Sequence, residues 1–435
     1  MRDKSTLEYL ERLRTLGSNY GLERTERLLE LIGNPHKKIK LIHIAGTNGK
    51  GSTSAILSKI LIEHGYKIGF FNSPHLEEIE ETIRINDENI KEEDFVSLIK
   101  EIKPFVSQVV EEGFNHPTEF EVLTCIMFLY LYRKEVDFGI IEVGLGGRLD
   151  STNVLTPILS IITSISLDHT NILGNTIEEI TKEKAGIIKN NIPIITCMQK
   201  DEAMKVLTEE SIKKGSDLII VNPNNYKFLS IDNEEIVNQK VLVKLKDKEE
   251  ILNFSLLGSH QIINLSLALE ALKELERLNY IEIDTNKIKT ATKKVKWKGR
   301  LEILNKSPYI VIDGAHNVDG IKYLKDNLKD YFKYKDLYLI LGILADKEVE
   351  KMLEIIVPLA KEVYTVTSNS IRATSFEELR VLSEKYNKNS LGFDDYKEAV
   401  NYAIDKADNG DLILACGSLY MIGKIRRIFN KSIKL

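Results

Sequence analysis

Residues 42–57, IHIAGTNGKGSTSAIL, set an apolar, β-branched run before a glycine-rich turn that carries one lysine and leads into a helical pattern. Backbone N–H groups in such a turn, at the start of a helix, make an anion site. Gly46, Gly49 and Gly51 let the backbone approach a phosphate closely, Lys50 supplies a point charge to the β- and γ-phosphates, and Ser52 or Thr53 is the hydroxyl near phosphate or magnesium. The spelling departs from G-x-x-x-x-G-K-[ST], which asks for glycine at Ile44 and a hydroxyl residue at Gly51. An ordinary strand–turn–helix with permissive glycines is the competing reading.

Other residues carry compatible chemistry. In IIEVGLGGRLDSTN, Glu142 ends an apolar strand pattern, and in SISLDHTNILG, Asp168 and His169 end another. Ligands sit at such strand ends in open α/β sheets. A carboxylate and an imidazole there could hold Mg²⁺ beside a nucleotide, since Mg²⁺ takes few protein ligands plus phosphate oxygens and water. A histidine is an unusual Mg²⁺ ligand, and by residue type alone His169 reads first as a helix cap or as bonded to a backbone carbonyl. Lys184, in TKEKAGIIK, reads from its neighbours as a solvated surface lysine. In the second half, VIDGAHNVDG ends a strand in Asp313 and His316, and LACGSLYMIG opens a helix at Gly417 and Ser418, whose N–H groups could take a carboxylate. A strand-end aspartate can also simply cap the next helix.

These residues need a scaffold, and the chain supplies an α/β alternation. Strand patterns cover Leu41–Ala45, Phe138–Val143, Ile158–Ile165 and Ile192–Thr196, with helical patterns at Ser52–His64 and Ile177–Ile187. That is the signature of a mostly parallel sheet covered by helices. From about Asp217 to Phe254 short strands with polar breaks predict a small antiparallel excursion, before GSHQIINLSLALEALKEL returns to helix. A second, Rossmann-like α/β series uses YIVIDGA, LYLILGIL, EVYTVTS and LILACGS. The boundary is placed near residue 295, in KKVKWKGRLEIL, giving domains 1–295 and 296–435. At 435 residues, two or three domains are expected. The net charge of −5 gives no electrostatic reason to bind nucleic acid or an anionic membrane. The N-terminal MRDKSTLEYLERLRTLG lacks a signal-peptide core, and no apolar run spans a bilayer. Cys125, Cys197 and Cys416 are far apart, without C-x-x-C, and read as buried thiols of a cytoplasmic protein.

Taken together, HIAGTNGKGS, NSPHL, TEFE, EVGLGGRLDSTN, DHTNILGNTIEEITKEKAGIIK, GSHQIINLSLALEAL, WKGRLE, DGAHN and GSLYMIG resemble, in order and spacing, the folylpolyglutamate synthase/dihydrofolate synthase family of the Mur ligase superfamily. The likeness runs from YGLER near residue 20 to GSLY near 420. Glycine after the loop lysine is typical of this folate branch. The resemblance implies that Gly46, Thr47, Asn48, Gly49, Lys50, Gly51 and Ser52 hold the ATP phosphates. It makes Ser73, Glu142 and His169 Mg²⁺ ligands. Lys184 matches the family's carbamylated lysine, which would serve a second Mg²⁺; K⁺ is a further candidate cation. Asn264 would contact adenine, Arg300 the phosphates, and Asp313 the nucleotide. His316, Ser418 and Arg372 would lie near glutamate, with Thr118, Phe120, Glu121, Thr152 and Asn153 lining the pterin and aminobenzoate region. One departure stands out: Thr82 occupies the place of a family arginine, and Arg84 follows two residues on.

The implied reaction joins L-glutamate to a folate or to dihydropteroate through an acyl phosphate, with domain closure shielding that intermediate from water. His316 is the candidate base for the glutamate amine. No nucleophilic side chain is required. A monomer is the family precedent. Competing readings are a nucleotide-switched ATPase or GTPase-like regulator, a wall-precursor Mur ligase, and, inside the family, an enzyme that extends folates only.

Overall fold

The computed structural model describes residues 4–15, 21–232, 237–246 and 248–432. Met1–Asp3, Leu16 and Gly17 of the N-terminal stretch, Tyr20 of YGLER, and residues 233–236 and 247 of the expected excursion lie outside that range. The chain divides into two compact units. One comprises Met1–Lys227, Val243–Glu250 and Ile263–Lys294; the other comprises Phe228–Leu242, Ile251–Ile262 and Val295–Leu435.

The first unit is built on an eight-stranded sheet. Its strands are β1 (Leu41–Ala45), β2 (Ile68–Phe71), β3 (Ile83–Ile85), β4 (Glu88–Asn89), β5 (Phe138–Glu142), β6 (Leu159–Ile162), β7 (Ile194–Thr196) and β8 (Leu218–Ile220). Their order is β4-β3-β2-β5-β1-β6-β7-β8. From β2 to β8 all pairs are parallel, and β3 and β4 add an antiparallel edge. β1, β2, β5 and β6 are buried at every position, which is why they read as near-continuous apolar runs: both faces of the sheet are covered. The helix Lys50–Glu63 follows β1, and Glu119–Arg133 precedes β5, buried along nearly its whole length. The segment LII, expected in the antiparallel excursion, instead pairs parallel to β7 as the sheet's edge. Short and partly exposed, it carries no alternation that would tell the two apart. The excursion begins after it, as a separate sheet of β9 (Tyr226–Asp232), β10 (Asn238–Leu245) and β11 (Lys248–Phe254), in the order β11-β10-β9.

The second unit holds a six-stranded sheet of β12 (Glu302–Lys306), β13 (Tyr309–Ile312), β14 (Leu337–Leu341), β15 (Glu362–Val366), β16 (Ser390–Phe393) and β17 (Leu412–Cys416), in the order β12-β13-β17-β14-β15-β16. Only β12 runs antiparallel, and its pairing with β13 carries a register shift. The helices Val318–Tyr331, Val349–Ile356 and Phe376–Ser383 pack in sequence along one layer, while Tyr396–Lys406 packs with Leu419–Ser432. Among the described residues no helix is long and apolar enough to cross a membrane.

Candidate active site

The glycine loop leaves β1 at the centre of the first sheet. Gly46 has φ +146°, and a Cβ there would sit 1.8 Å from Thr163 Oγ1. Gly49, at φ +94°, caps the helix, and its Cβ would sit 2.2 Å from Asn264 Oδ1. Both positions therefore need glycine for backbone shape and for close packing. Asn264, expected at the adenine, is buried and lies directly over this turn. The loop is also tied sideways: the N–H groups of Thr47 and Asn48 donate to Ser164 O at 2.8 and 3.3 Å, and Thr47 Oγ1 donates to Ser166 O. The Thr47 and Asn48 amides therefore brace the loop against the end of β6. The first N–H groups of the following helix have no intrahelical acceptor. Thr53 is fully buried.

Two lysines meet at one oxygen. Lys50 Nζ donates to Gly46 O at 3.0 Å and to Thr47 O at 3.2 Å, and Lys184 Nζ donates to Gly46 O at 2.9 Å. Lys184 is buried, not the solvated surface residue its neighbours suggest. Burial pushes its amine down to about 7, Lys50 adds to that, and Asp168 and Asp150 oppose it. The charged sequence around it misleads because only one face of its helix, Ile177–Ala185, turns inward.

Ser73 follows β2, Glu142 ends β5 and His169 follows β6; β5 and β6 flank β1, and β2 lies beyond β5. Glu142 is buried, and Ser73 is half-buried. His169 heads the helix Thr170–Leu173 in the left-handed region, at φ 50°, and its N–H donates to Asp168 Oδ1 at 2.8 Å. A histidine held in a sparsely populated conformation at a strand end is a feature that clusters at functional sites. Among the described residues, no group of three or more His, Cys, Asp or Glu side chains converges as a metal site. A donor set of one carboxylate, one imidazole and one hydroxyl fits Mg²⁺ that draws most of its oxygens from phosphate and water.

The expected pterin wall is partly structural. Glu121 closes a capping box, its Oε2 accepting from Thr118 N at 2.6 Å while its own N–H donates to Thr118 Oγ1. Its Oε1 pairs with Arg24 at 2.9 Å, both side chains being almost fully buried. Thr152 is likewise buried: its hydroxyl donates to Asp150 Oδ1, so His43 Nε2, 2.8 Å away, must be the donor to it. Burial pushes the His43 ring down to about 3, keeping it neutral. Asn153 Nδ2 donates to Arg148 O and Gly186 O, tying its loop to the lysine-bearing helix. Glu121 and Thr152 thus position this region with the very groups expected to touch a ligand. Phe120 differs. Its ring lies against Gly144, where a Cβ would sit 2.6 Å away, and 5.8 Å from the Phe71 ring. This is an apolar platform suited to a flat aromatic group. Arg84 faces Phe70 across the β2–β3 pair, with its guanidinium 4.0 Å over that ring and Nη2 3.4 Å from Asn72 Oδ1. Thr82 spends its hydroxyl on Ile79 O.

In the second unit, Asp313 accepts from Leu301 N at 2.7 Å and Ala315 N at 2.8 Å. It organises the turn of Arg300, whose guanidinium lies on Gly314. His316 Nδ1 donates to Gly314 O at 2.7 Å, which leaves the lone pair of the neutral ring on Nε2. Arg372, expected at glutamate, pairs with Asp346 at 2.8 Å near the surface. Ser418 is buried after β17. Arg24, His43 and Asp150 were not singled out by sequence reasoning. YGLER was the only signal for Arg24, and nothing local marks a histidine inside a strand.

Against known proteins, residues 44–272 match the family described as Mur ligase middle domain, and residues 299–419 match Mur ligase, glutamate ligase domain. The class is therefore that of the Mur ligases. A Bacillus subtilis (strain 168) protein named dihydrofolate synthase/folylpolyglutamate synthase is 36% identical over 94% of this chain and 95% of its own. A Lacticaseibacillus casei folylpolyglutamate synthase is 30% identical over 98% of each. The solved Mycobacterium tuberculosis folylpolyglutamate synthase complexed with ADP and AMPPCP superposes with a TM-score of 0.87, at 27% identity over 98% of this chain and 99% of that one. The chain belongs to the folylpolyglutamate synthase/dihydrofolate synthase family, a family of ATP-binding ligases of folate metabolism.

Proposed function

We propose that the chain adds L-glutamate to folates, and to 7,8-dihydropteroate, by forming an acyl phosphate from ATP and releasing ADP and phosphate. The observation that carries this reading is the pair of amines, Lys50 and Lys184, on the Gly46 carbonyl at the mouth of the glycine loop. Residues 1–295 would serve ATP and the pterin-bearing acceptor, and 296–435 glutamate. The acceptor carboxylate is a poor electrophile, and phosphorylation gives it a leaving group. Lys50 and the first helix amides offset charge on the phosphoryl group in transit. Mg²⁺, held by Ser73, Glu142 and His169, would supply further positive charge when bound. The buried, readily neutral Lys184 amine is the form that condenses with CO₂, which supports carbamylation, and the carbamate would serve a second cation, Mg²⁺ or K⁺. Phe120 and Gly144 offer the acceptor's rings a flat wall. Arg300, set by Asp313 and Gly314, adds charge at the phosphates. His316 Nε2 takes the proton from the glutamate ammonium, which must be neutral to attack. We read the protein as a cytoplasmic monomer with small-molecule substrates.

The test is phosphate release from MgATP and L-glutamate with 7,8-dihydropteroate, with tetrahydrofolate, and with neither. Turnover with both acceptors is expected; equal turnover without an acceptor would return the loop to a plain ATPase. The name of the Lacticaseibacillus casei relative favours a narrower enzyme that extends folates only, and silence in the dihydropteroate arm would select it. His316→Ala should lower kcat about 10²-fold at saturating glutamate; unchanged turnover would remove it as the base.

A further inference from the structure

The parallel pairing of β6 with β7 ends at Ile162 and Thr196. Residues 163–166 carry on beyond β6, but β7 stops, and residues 197–200 lead into the helix Asp201–Lys214. The flank that a longer β7 would have paired is met instead by one side chain. Gln199 Nε2 donates to Thr163 O at 2.9 Å, and Gln199 Oε1 accepts from Ile165 N at 3.0 Å. A primary amide offers a donor and an acceptor in one plane, the same set that a strand's backbone offers its neighbour. Thr196 Oγ1 accepts from Gln199 Nε2 at 3.1 Å and donates to Ile162 O at 2.9 Å, which ties the amide to the last paired residues of the two strands.

The other flank of the same segment carries the glycine loop. Thr163 N donates to Ala45 O at 2.8 Å, and Ser164 O accepts from Thr47 N and Asn48 N. Ser164 Oγ donates to Asn48 O at 3.1 Å, and Ser166 N donates to Thr47 Oγ1 at 3.1 Å. Thr163 Oγ1 is the atom that a Cβ on Gly46 would strike. Residues 163–166 therefore stand between the loop and Gln199, and the loop takes its place from theirs. Without the amide, Thr163 O and Ile165 N lose these partners, and a backbone group that loses its partner moves to find another. The loop would follow. Groups that meet a phosphate must be held in place beforehand, so a small displacement weakens their grip.

We propose that Gln199 is a positioning residue for the nucleotide phosphates, acting on the glycine loop through residues 163–166. Its side chain stands in for the strand that β7 does not supply. The proposal rests on the reading of the loop as the ATP site, and it names a residue that lies in none of the motifs.

The experiment measures MgADP binding by calorimetry, with neither acceptor nor glutamate present, and steady-state kinetics with ATP, glutamate and acceptor varied in turn. Gln199→Leu keeps most of the side-chain volume and removes both polar atoms. It should weaken MgADP binding about tenfold and raise the KM for ATP by a similar factor, the scale of one lost hydrogen bond. The KM values for glutamate and acceptor should stay within about twofold. Gln199→Glu distinguishes positioning from space-filling, and serves alone if the leucine variant does not fold. Its carboxylate can accept from Ile165 N but cannot donate to Thr163 O, whereas the neutral acid does both. A carboxylate facing a carbonyl oxygen also favours protonation. The affinity of Gln199→Glu for MgADP, relative to wild type, should therefore be low at about pH 8 and recover about threefold or more at about pH 5. Wild-type MgADP affinity in Gln199→Leu, even with a lowered melting temperature, overturns the assignment, and so does a Gln199→Glu enzyme whose relative affinity ignores pH. Wild-type protein that does not bind MgADP would sink the ATP-site reading itself, and this assignment with it.

Discussion

The glycine loop and the segments around the end of β14 both lie at the C-terminal ends of parallel strands, yet their polar groups are tied down to different degrees. Around the loop the backbone and the charged groups are held by other parts of the protein, while the buried Thr53 and Ser54 hydroxyls of the following helix have no partner among the described residues. Thr47 and Asn48 lean on Ser164, two lysines share Gly46 O, and Glu121 is held by Arg24 and Thr118. Around β14, the Ser368 and Ser418 hydroxyls have no partner among the described residues. A site that must place charges against a transferring phosphoryl group gains from rigidity before substrate arrives, since reorganisation during the reaction is what it must avoid.

The sharpest way to break the rigid side is to remove Arg24. Arg24→Ala leaves the Glu121 carboxylate buried without its partner, which costs about 3–5 kcal/mol of stability. Chemical denaturation should show it, and the capping box should loosen with it. A loss under 1 kcal/mol would mean that the wall near Phe120 does not depend on the pair. Next comes Lys50→Ala, which removes a point charge from the phosphoryl path. It should lower kcat by about 10²–10³-fold in a phosphate-release assay. It should leave the melting temperature nearly unchanged, because the bonds it gives up, to Gly46 O and Thr47 O, end on carbonyls at a half-exposed turn.

Lys184→Met tests whether the rigid site is also a stressed one. The folded amine is held near 7, below the ordinary lysine value, so between those values the unfolded chain binds a proton that the folded chain does not. Wild-type stability therefore rises with pH across that window, and the penalty is greatest below pH 7. Methionine removes the penalty: in CO₂-free buffer the variant should be more stable by about 2–4 kcal/mol at pH 6, with the gap closing towards pH 10. Activity should fall together with the gain in stability, the usual trade at a functional site. An equal gap at both pH values would show that the amine is not the stressed group.

How much of this could be read beforehand follows from what carries each feature. β1, β5, β6, β13, β14, β15 and β17 were legible because strands buried on both faces spell continuous apolar runs. β16 was not: its SLGF is half exposed at an edge, and β12 hides in a basic stretch whose residues are only partly buried. The loop announced itself through glycine spacing, and Lys50 with it. Lys184 did not, since burial is set by which helix face turns inward and its neighbours are charged. The polar atoms of Glu121 and Thr152 are engaged by Thr118 and Asp150, close by in sequence, and by Arg24 and His43, which come from distant elements that no local pattern names.

The mildest test lies in the second unit. Arg372 follows Ile371, which is fully exposed, and its guanidinium pairs with Asp346 where both side chains meet solvent. Such a pair contributes about 0–1 kcal/mol, because water screens it and two long side chains must be ordered to form it. If Arg372 keeps that pair, Arg372→Ala should change the KM for glutamate by no more than about threefold and the stability by less than about 1 kcal/mol. A rise of about tenfold or more would mean that Arg372 leaves Asp346 to reach the substrate, and that the second site, like the first, relies on a charge. Measuring Asp346→Ala beside it separates the two. Freeing the arginine should then tighten glutamate binding if Arg372 takes part, and leave it untouched if it does not.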